Sequence, residues 1–304
     1  MSRPRIFTRP ARLAAILPYA WLLALFLTPF LFIIRMSLSM TAVAQPPYAP
    51  VFDITAGWSA VIEALGQLSG DNFALLISDS LYLFAGLRSL TVAAVSTALL
   101  LLIGYPVAYA MTRLSRRWQP IALMLVVVPF WTSFLIRVYA WINILQKDGL
   151  LNGALRAFHV IETPLAWLAT DTAMYLGIVY SYLPFMILPL YAAMEKMDAS
   201  LIEAAADLGC SRLKAFWLVT LPLSRPGIGA GALLCFIPVV GEFVIPDLLA
   251  GSDRLMIGQT VWLEFFTNRD WSVASAMAVV LLVLLIGPLL MYEKMQRRAL
   301  ERGA

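Results

Sequence analysis

The sequence predicts an all-α membrane protein built on six transmembrane helices. Three observations carry that prediction: 61% of the 304 residues are apolar and only 13% are charged, mean hydropathy is +0.82, and six apolar runs are each long enough to cross a bilayer. Such a composition lies outside the soluble globular class. A hydrocarbon core of roughly 30 Å needs about 20 helical residues at ~1.5 Å each. Helices satisfy their backbone hydrogen bonds within one segment, which oil demands.

The runs lie at about 13–36, 87–112, 121–145, 172–194, 227–249 and 274–292, within a single transmembrane domain covering residues 1–304. Pro106, Pro184, Pro189, Pro238 and Pro246 fall inside them and predict kinks, because each ring removes a backbone donor and crowds the preceding turn. The stretch AVAQ at Ala42–Gln45 has the form of a signal-peptidase site. The run before it, at about 24 residues, exceeds the ~7–15 of a cleaved signal, so an uncleaved anchor is expected.

Arginine and lysine are unevenly distributed. Arg3, Arg5, Arg9 and Arg12 precede the first run; Arg113, Arg116 and Arg117 follow the second; Lys196, Arg212, Lys214 and Arg225 follow the fourth; Lys294, Arg297, Arg298 and Arg302 close the chain. The opposite side has Lys147, Arg156, Arg254 and Arg269. The positive-inside rule therefore predicts both termini in the cytoplasm. Because these charges flank apolar runs, the basic balance reads as topology and no nucleic-acid partner is expected. Cys210 in a cytoplasmic loop and Cys235 inside a run are not expected to pair, and the single histidine, His159, gives no metal-ligand spacing.

Two outer loops are embellished. The first, 37–86, has no Lys or Arg and carries Asp53, Glu63, Asp71 and Asp79; it would concentrate a cation, or serve as a solvated docking loop. Within it AQPPYAP reads as extended and VIEALGQL as a short surface helix. The second, 147–171, holds DGLLNGALRAF, where Leu150, Leu151, Leu155 and Phe158 share one helical face suited to the membrane surface.

SLIEAAADLG, Ser200–Gly209, is neither oily nor a loose linker. Ser200 and Glu203 have capping-box spacing, and Gly209 supplies the left-handed conformation that ends a helix, leaving a body of Leu201–Leu208. Ser211 then caps a second helix carrying Arg212, Lys214, Phe216 and Trp217 and stopping near Leu221–Pro222. Two turns of helix are marginal in water. The segment needs another surface, either this chain's own helix ends or a cytoplasmic partner.

Glu242, in PVVGEFVIP, lies roughly 10 Å inside its run by helical rise, where an ionised carboxylate needs a cavity or a partner. Pro246 lacks the amide that would bond the Glu242 carbonyl. A carboxylate among freed carbonyls suits a translocating ammonium group. Arg137 stands at a comparable depth, and an Arg137–Glu242 ion pair is the competing reading. Aromatic faces attract organic cations by ~0.5–2 kcal/mol; Trp131 and Tyr182 are the aromatic candidates for a substrate pathway, with Asp247 at its mouth. GIGAG, Gly227–Gly231, has the spacing for close helix packing, against this chain or a second one.

EAAADLG at Glu203–Gly209, followed after nine residues by VTLP at Val219–Pro222, resembles the EAA signature of permease subunits in binding-protein-dependent ABC importers. Val219 stands where isoleucine is commoner. LRSLTVAAVSTALLLLIGYPVAYA, PFWTSFLIRVYAWINIL, GIVYSYLPFMILPLYAAM, PVVGEFVIPDLLAG and FFTNRDWSVASAMA extend the likeness to polyamine permeases, above all those for putrescine.

The resemblance implies a type I importer permease (MetI-like) fold of the bacterial inner membrane, whose cytoplasmic loop 195–226 forms a coupling helix. It implies that Ser200, Glu203, Ala204, Ala205, Gly209, Leu221 and Pro222 serve ATPase coupling. The implied partners are an ATPase dimer carrying ATP and Mg, a second homologous permease, a periplasmic polyamine-binding protein and membrane lipid. No P-loop is present here, since Lys147, Lys196, Lys214 and Lys294 follow Gln146, Glu195, Leu213 and Glu293 rather than glycine. No catalytic site, cofactor or metal is therefore expected in this chain. A permease for another small organic solute, an ion-coupled carrier using Glu242, and a passive channel are the alternatives.

Overall fold

A computed structural model of the protein describes residues 9–52, 57–251 and 255–303. Arg3, Arg5, Asp53 and Arg254 lie outside the described residues, as do the side chains of Arg9, Arg12, Arg298 and Arg302. The chain divides into two compact units, Met1–Ser80 with Val261–Leu282, and Leu81–Thr260 with Val283–Ala304.

The first unit opens with α1 (Arg9–Ser37), which contains Pro18 and Pro29. None of its apolar window is buried, as suits a helix surrounded by lipid or another chain. The loop after it is more ordered than its sequence predicts. AQPPYAP is the turn and return of a small hairpin, β1 (Met40–Thr41) against β2 (Tyr48–Ala49), so the all-α class has one two-stranded exception. Arg35 donates to the Pro50 carbonyl at 3.0 Å and stacks on Phe52. These bonds to one guanidinium favour the folded turn. The expected surface helix is α2 (Trp58–Gly66), and α3 (Asp71–Ser78) follows it. Asn72 donates to the Ser37 and Ser39 carbonyls at 2.8 Å each, closing the exposed end of α1.

The second unit contains most of α4 (Ser80–Arg113), then α5 (Gln119–Val127), α6 (Phe134–Leu145), α7 (Leu150–Ala157), α8 (Asp171–Glu195), α9 (Ala199–Asp207), α10 (Arg212–Ala215), α11 (Leu221–Val240) and α12 (Val244–Leu249). Helix α13 (Ile257–Trp262) leads on, and α14 (Trp271–Gly303) closes the chain. Half of the apolar window of α8 is buried, more than in any other described span. The GIGAG spacing explains part of this. A Cβ on Gly227 would stand 2.6 Å from that of Ala193, and one on Gly231 would stand 2.8 Å from the sulfur of Met186. The close neighbour is α8 of this chain, and Leu100, Met186, Leu190, Met194 and Cys235 form the core there.

Two expected spans need correction. The run 121–145 is not one helix: Gln119–Trp131 and the helical stretch from Phe134 meet at 89°. Thr132 and Ser133 are extended, with ψ of 150° and 139°, and Pro129 cannot donate within its turn. Among the described residues five helices are long and apolar enough to cross a membrane, or six if this bent pair counts as one span.

The run 227–249 is displaced at both ends. Its helix begins in the loop at Arg212 and continues to Val240, so it does not stop at Leu221–Pro222. A wide turn, Phe216–Thr220, absorbs the proline, with the Leu221 amide bonding back to the Phe216 carbonyl. Such a turn re-satisfies the backbone where a ring would otherwise force a break. The helix breaks instead at Gly241–Phe243, before α12.

Candidate functional site

Helix α9 forms where the EAA-like stretch predicts a helix, but its cap differs. Asp198 is the N-cap, and its Oδ1 accepts from the Ser200 amide at 2.9 Å. Ser200 therefore lies inside the first turn, and Glu203 is too far along to reach back to the cap. An aspartate serves as well as a serine in this role, and Asp198 meets the free amides first. That bond holds the Asp198 carboxyl below the usual carboxylate range.

The C-terminal end follows expectation. Gly209 has φ +80°, the Gly209 amide bonds to Ala206 O and the Cys210 amide to Ala205 O, both at 2.9 Å. This is the six-to-one plus five-to-two pattern that a left-handed glycine allows. Ser211 then caps α10, its Oγ accepting from Lys214 N at 3.4 Å.

The faces of α9 divide sharply. Ala205 is buried against its own chain and Ile202 is half-buried, whereas Leu201, Glu203, Ala204 and Leu208 are exposed, Leu208 at 86%. Ala205 is thus not free to approach another protein, which corrects one expected coupling contact. Leu201, Ala204 and Leu208 recur at helical spacing and leave an apolar stripe uncovered. Leu221 and Pro222 are half-buried at the entry to α11, where Leu221 meets the core; they secure the helix above the loop rather than ending one.

The second cluster surrounds the break after α11. Glu242 is 8% exposed. Its Oε2 accepts from the Tyr182 hydroxyl, and its Oε1 accepts from Val244 N at 3.0 Å and Ile245 N at 3.4 Å. The carboxylate therefore caps α12 and binds α8 at once. Negative charge at a helix N-terminus is favourable, which is why the acid is tolerated so deep. Sequence reasoning named Glu242 and Tyr182 separately; the fold joins them.

Arg137 does not pair with Glu242. Its guanidinium lies 4.6 Å from the centre of the Phe130 ring and 5.7 Å from that of Phe134, and its Nε and Nη1 have no hydrogen-bond partner among the described residues. A series of ring contacts joins the two charges: Tyr182 to Phe185 at 6.1 Å and Phe185 to Phe130 at 5.2 Å. Aromatic faces stabilise the cation without an anion. Trp131 is 75% exposed and takes no part in these ring contacts among the described residues. Asp247 is exposed on α12 without joining the Glu242 bonds.

One organising residue was missed. Asn152 is buried in α7, donating to Gln146, Lys147 and Leu165 carbonyls and accepting from Leu165 N and Trp167 Nε1. An asparagine in the apolar run LLNGAL was the available signal. Leu150 and Phe158 of the expected membrane-surface face are exposed in the isolated chain.

Five membrane-length helices among the described residues, six if the bent pair counts as one span, define a multi-span membrane protein. Residues 101–300 match the family described as binding-protein-dependent transport system inner membrane component, and the chain belongs to that family. It is a multi-pass inner-membrane permease subunit of the ABC importer class.

The spermidine/putrescine transport system permease protein PotB of Escherichia coli (strain K12) is 40% identical over 227 residues, 75% of this chain and 82% of that one. PotB of Haemophilus influenzae is 43% identical over 198 residues, 65% and 69% of the two chains. Among solved structures, a bacterial alginate ABC transporter in complex with alginate pentasaccharide-bound periplasmic protein aligns with a TM-score of 0.70 at 17% identity, covering 94% of this chain and 93% of that one. That likeness supports the MetI-like fold alone.

Proposed function

We propose that the chain is the transmembrane permease of an ATP-driven importer for putrescine or a related polyamine, with both termini in the cytoplasm. A periplasmic binding protein delivers substrate, a second homologous permease completes the pathway, and an ATPase dimer holding ATP and Mg supplies the energy. The chain itself performs no covalent chemistry. The observation that carries this reading is α9: a two-turn helix fixed at both ends, with one face on its own chain and the Leu201–Ala204–Leu208 stripe uncovered. Exposed apolar surface on so short a helix calls for a protein partner.

In this reading ATPase closure moves α9, and the continuous helix from Arg212 to Val240 conveys that motion to the break at Glu242. Tyr182 and Glu242 offer a hydroxyl and a carboxylate to a diammonium chain, while Arg137, screened behind its rings, repels a misplaced cation. The names of the PotB relatives support the polyamine class. The test is reconstitution of the complete complex: putrescine-loaded binding protein is expected to stimulate ATP hydrolysis. Absence of stimulation by any polyamine would refute the substrate, and α9 variants that still bind the ATPase normally would refute the coupling role.

A further inference from the structure

A cleft of about 590 Å³ opens beside α9, at the end of the second unit assigned above to the cytoplasm, and the Glu242 cluster does not use it. Its lining includes Arg113, Arg116, Gln119, Tyr191, Glu195 and Ile202. Arg113 is exposed yet oriented. Its Nη2 donates to the Tyr109 hydroxyl at 2.9 Å, with the guanidinium 4.9 Å from that ring's centre.

Gln119 is held from both sides, donating to the Leu114 carbonyl at 3.1 Å and accepting from the Tyr191 hydroxyl at 3.4 Å. Helix α5 starts at Gln119 with no side-chain cap. The positive end of that helix thus adds to the two arginines. Arg-rich clefts of this form suit phosphate, which a planar guanidinium meets with paired N–H groups.

The surroundings decide the source of the phosphate. Trp118, beside the cleft, is 49% exposed, as is usual for tryptophan at the membrane–water interface. Beyond it Ile121, Met124 and Leu125 present an exposed apolar strip along α5. Arginines, an interfacial tryptophan and an apolar strip follow one another as headgroup, boundary and acyl chain do in a phospholipid.

We propose that this cleft binds the phosphate of an inner-leaflet phospholipid through Arg113 and Arg116, with an acyl chain along α5. Glu195, the one carboxylate in the lining, disfavours a second negative group on the same head. Ile202 shares the wall, so the lipid abuts the helix assigned to ATPase coupling. The leaflet rests on the orientation proposed above; binding itself does not.

The test presents the complex, purified in detergent with the subunits that accompany it, with phosphatidylglycerol or phosphatidylethanolamine and counts retained phospholipid by native mass spectrometry. Arg116→Gln is expected to weaken retention roughly fivefold, and adding Arg113→Gln to weaken it further by a similar factor. Arg297→Gln, at an exposed arginine paired with Glu293, is expected to change nothing. Equal retention by wild type and the double variant overturns the proposal. Displacement of the lipid by inorganic phosphate also overturns it, assigning the cleft to a free anion. Because lipid is read and not uptake, failure here leaves the importer reading intact.

Discussion

Helix α9 and the Glu242 cluster are held in opposite ways. α9 is fixed by bonds within a dozen residues, Asp198 to Ser200 at one end and Ala205 to Cys210 at the other, and most of its surface is open. Glu242 is fixed by bonds that reach 60 residues back to Tyr182 as well as two residues forward, and it is buried. Local bonds let α9 keep its shape while its position shifts. Glu242 cannot move without releasing α8 or uncapping α12. In the proposed coupling role, the element that keeps its own form would carry the motion and the element tied to two helices would respond to it.

The largest effect is expected from Gly209→Val. A Cβ there meets nothing within 4 Å, so the damage is conformational: the left-handed region costs an L-residue about 1–2 kcal/mol, and more when it is β-branched. Uptake should fall to background while the amount in the membrane stays normal. Gly209→Asn, which tolerates that region, should retain much of the activity. Normal uptake by the valine variant would mean that α9 does not depend on its local stop.

Glu242→Gln comes next. It keeps an acceptor but loses the charge that serves three donors, and hydrogen bonds to charged groups contribute ~1.5–3 kcal/mol. Uptake should fall at least about tenfold, with ATPase association unchanged in pull-down. Loss of association would show that the two regions are not separable.

A smaller contrast tests the cap. Asp198→Ala should reduce uptake by a few-fold, whereas Ser200→Ala should leave it nearly unaltered. The reverse ranking would reinstate Ser200 as the cap. Because the folded Asp198 carboxyl titrates below its ordinary value of 3.8, its support for α9 is complete above that value and is lost only as pH falls through the lower, folded value. ATPase binding should therefore show no change from this group between about pH 7 and 5.

The smallest effect is expected at Arg137. Arg137→Met removes a guanidinium with unpaired N–H groups and leaves an apolar side chain of similar length. Replacing a buried charge by a well-packed apolar group is often neutral or stabilising, so the melting temperature in detergent should hold or rise. Had Arg137 been the ion-pair partner of Glu242, the same change would strand a buried carboxylate at a cost of about 3–5 kcal/mol. A large drop in stability would revive that pair.

Much of this was legible in the sequence, and where it failed the failure was physical. Composition and charge placement were sufficient for the membrane class, because water and oil sort residues without knowledge of a fold. Gly209 was legible because φ +80° is a local requirement. The bend at Thr132–Ser133 was not, since apolar content is the same in a straight span and a broken one. Nor was Asp198: two residues suited to capping stood within one turn, and chain geometry chose between them.

What the sequence determined by itself are properties that need only one segment: apolar content, the left-handed turn at Gly209 and small residues for close approach. Tertiary structure alone decided who meets whom. It placed Tyr182 on Glu242, denied Arg137 that acid and gave it aromatic rings, and turned Ala205 inward while leaving Leu208 outside. Such pairings depend on helix rotation and on where a helix breaks, and a shift of one residue turns a side chain by about 100° at 3.6 residues per turn.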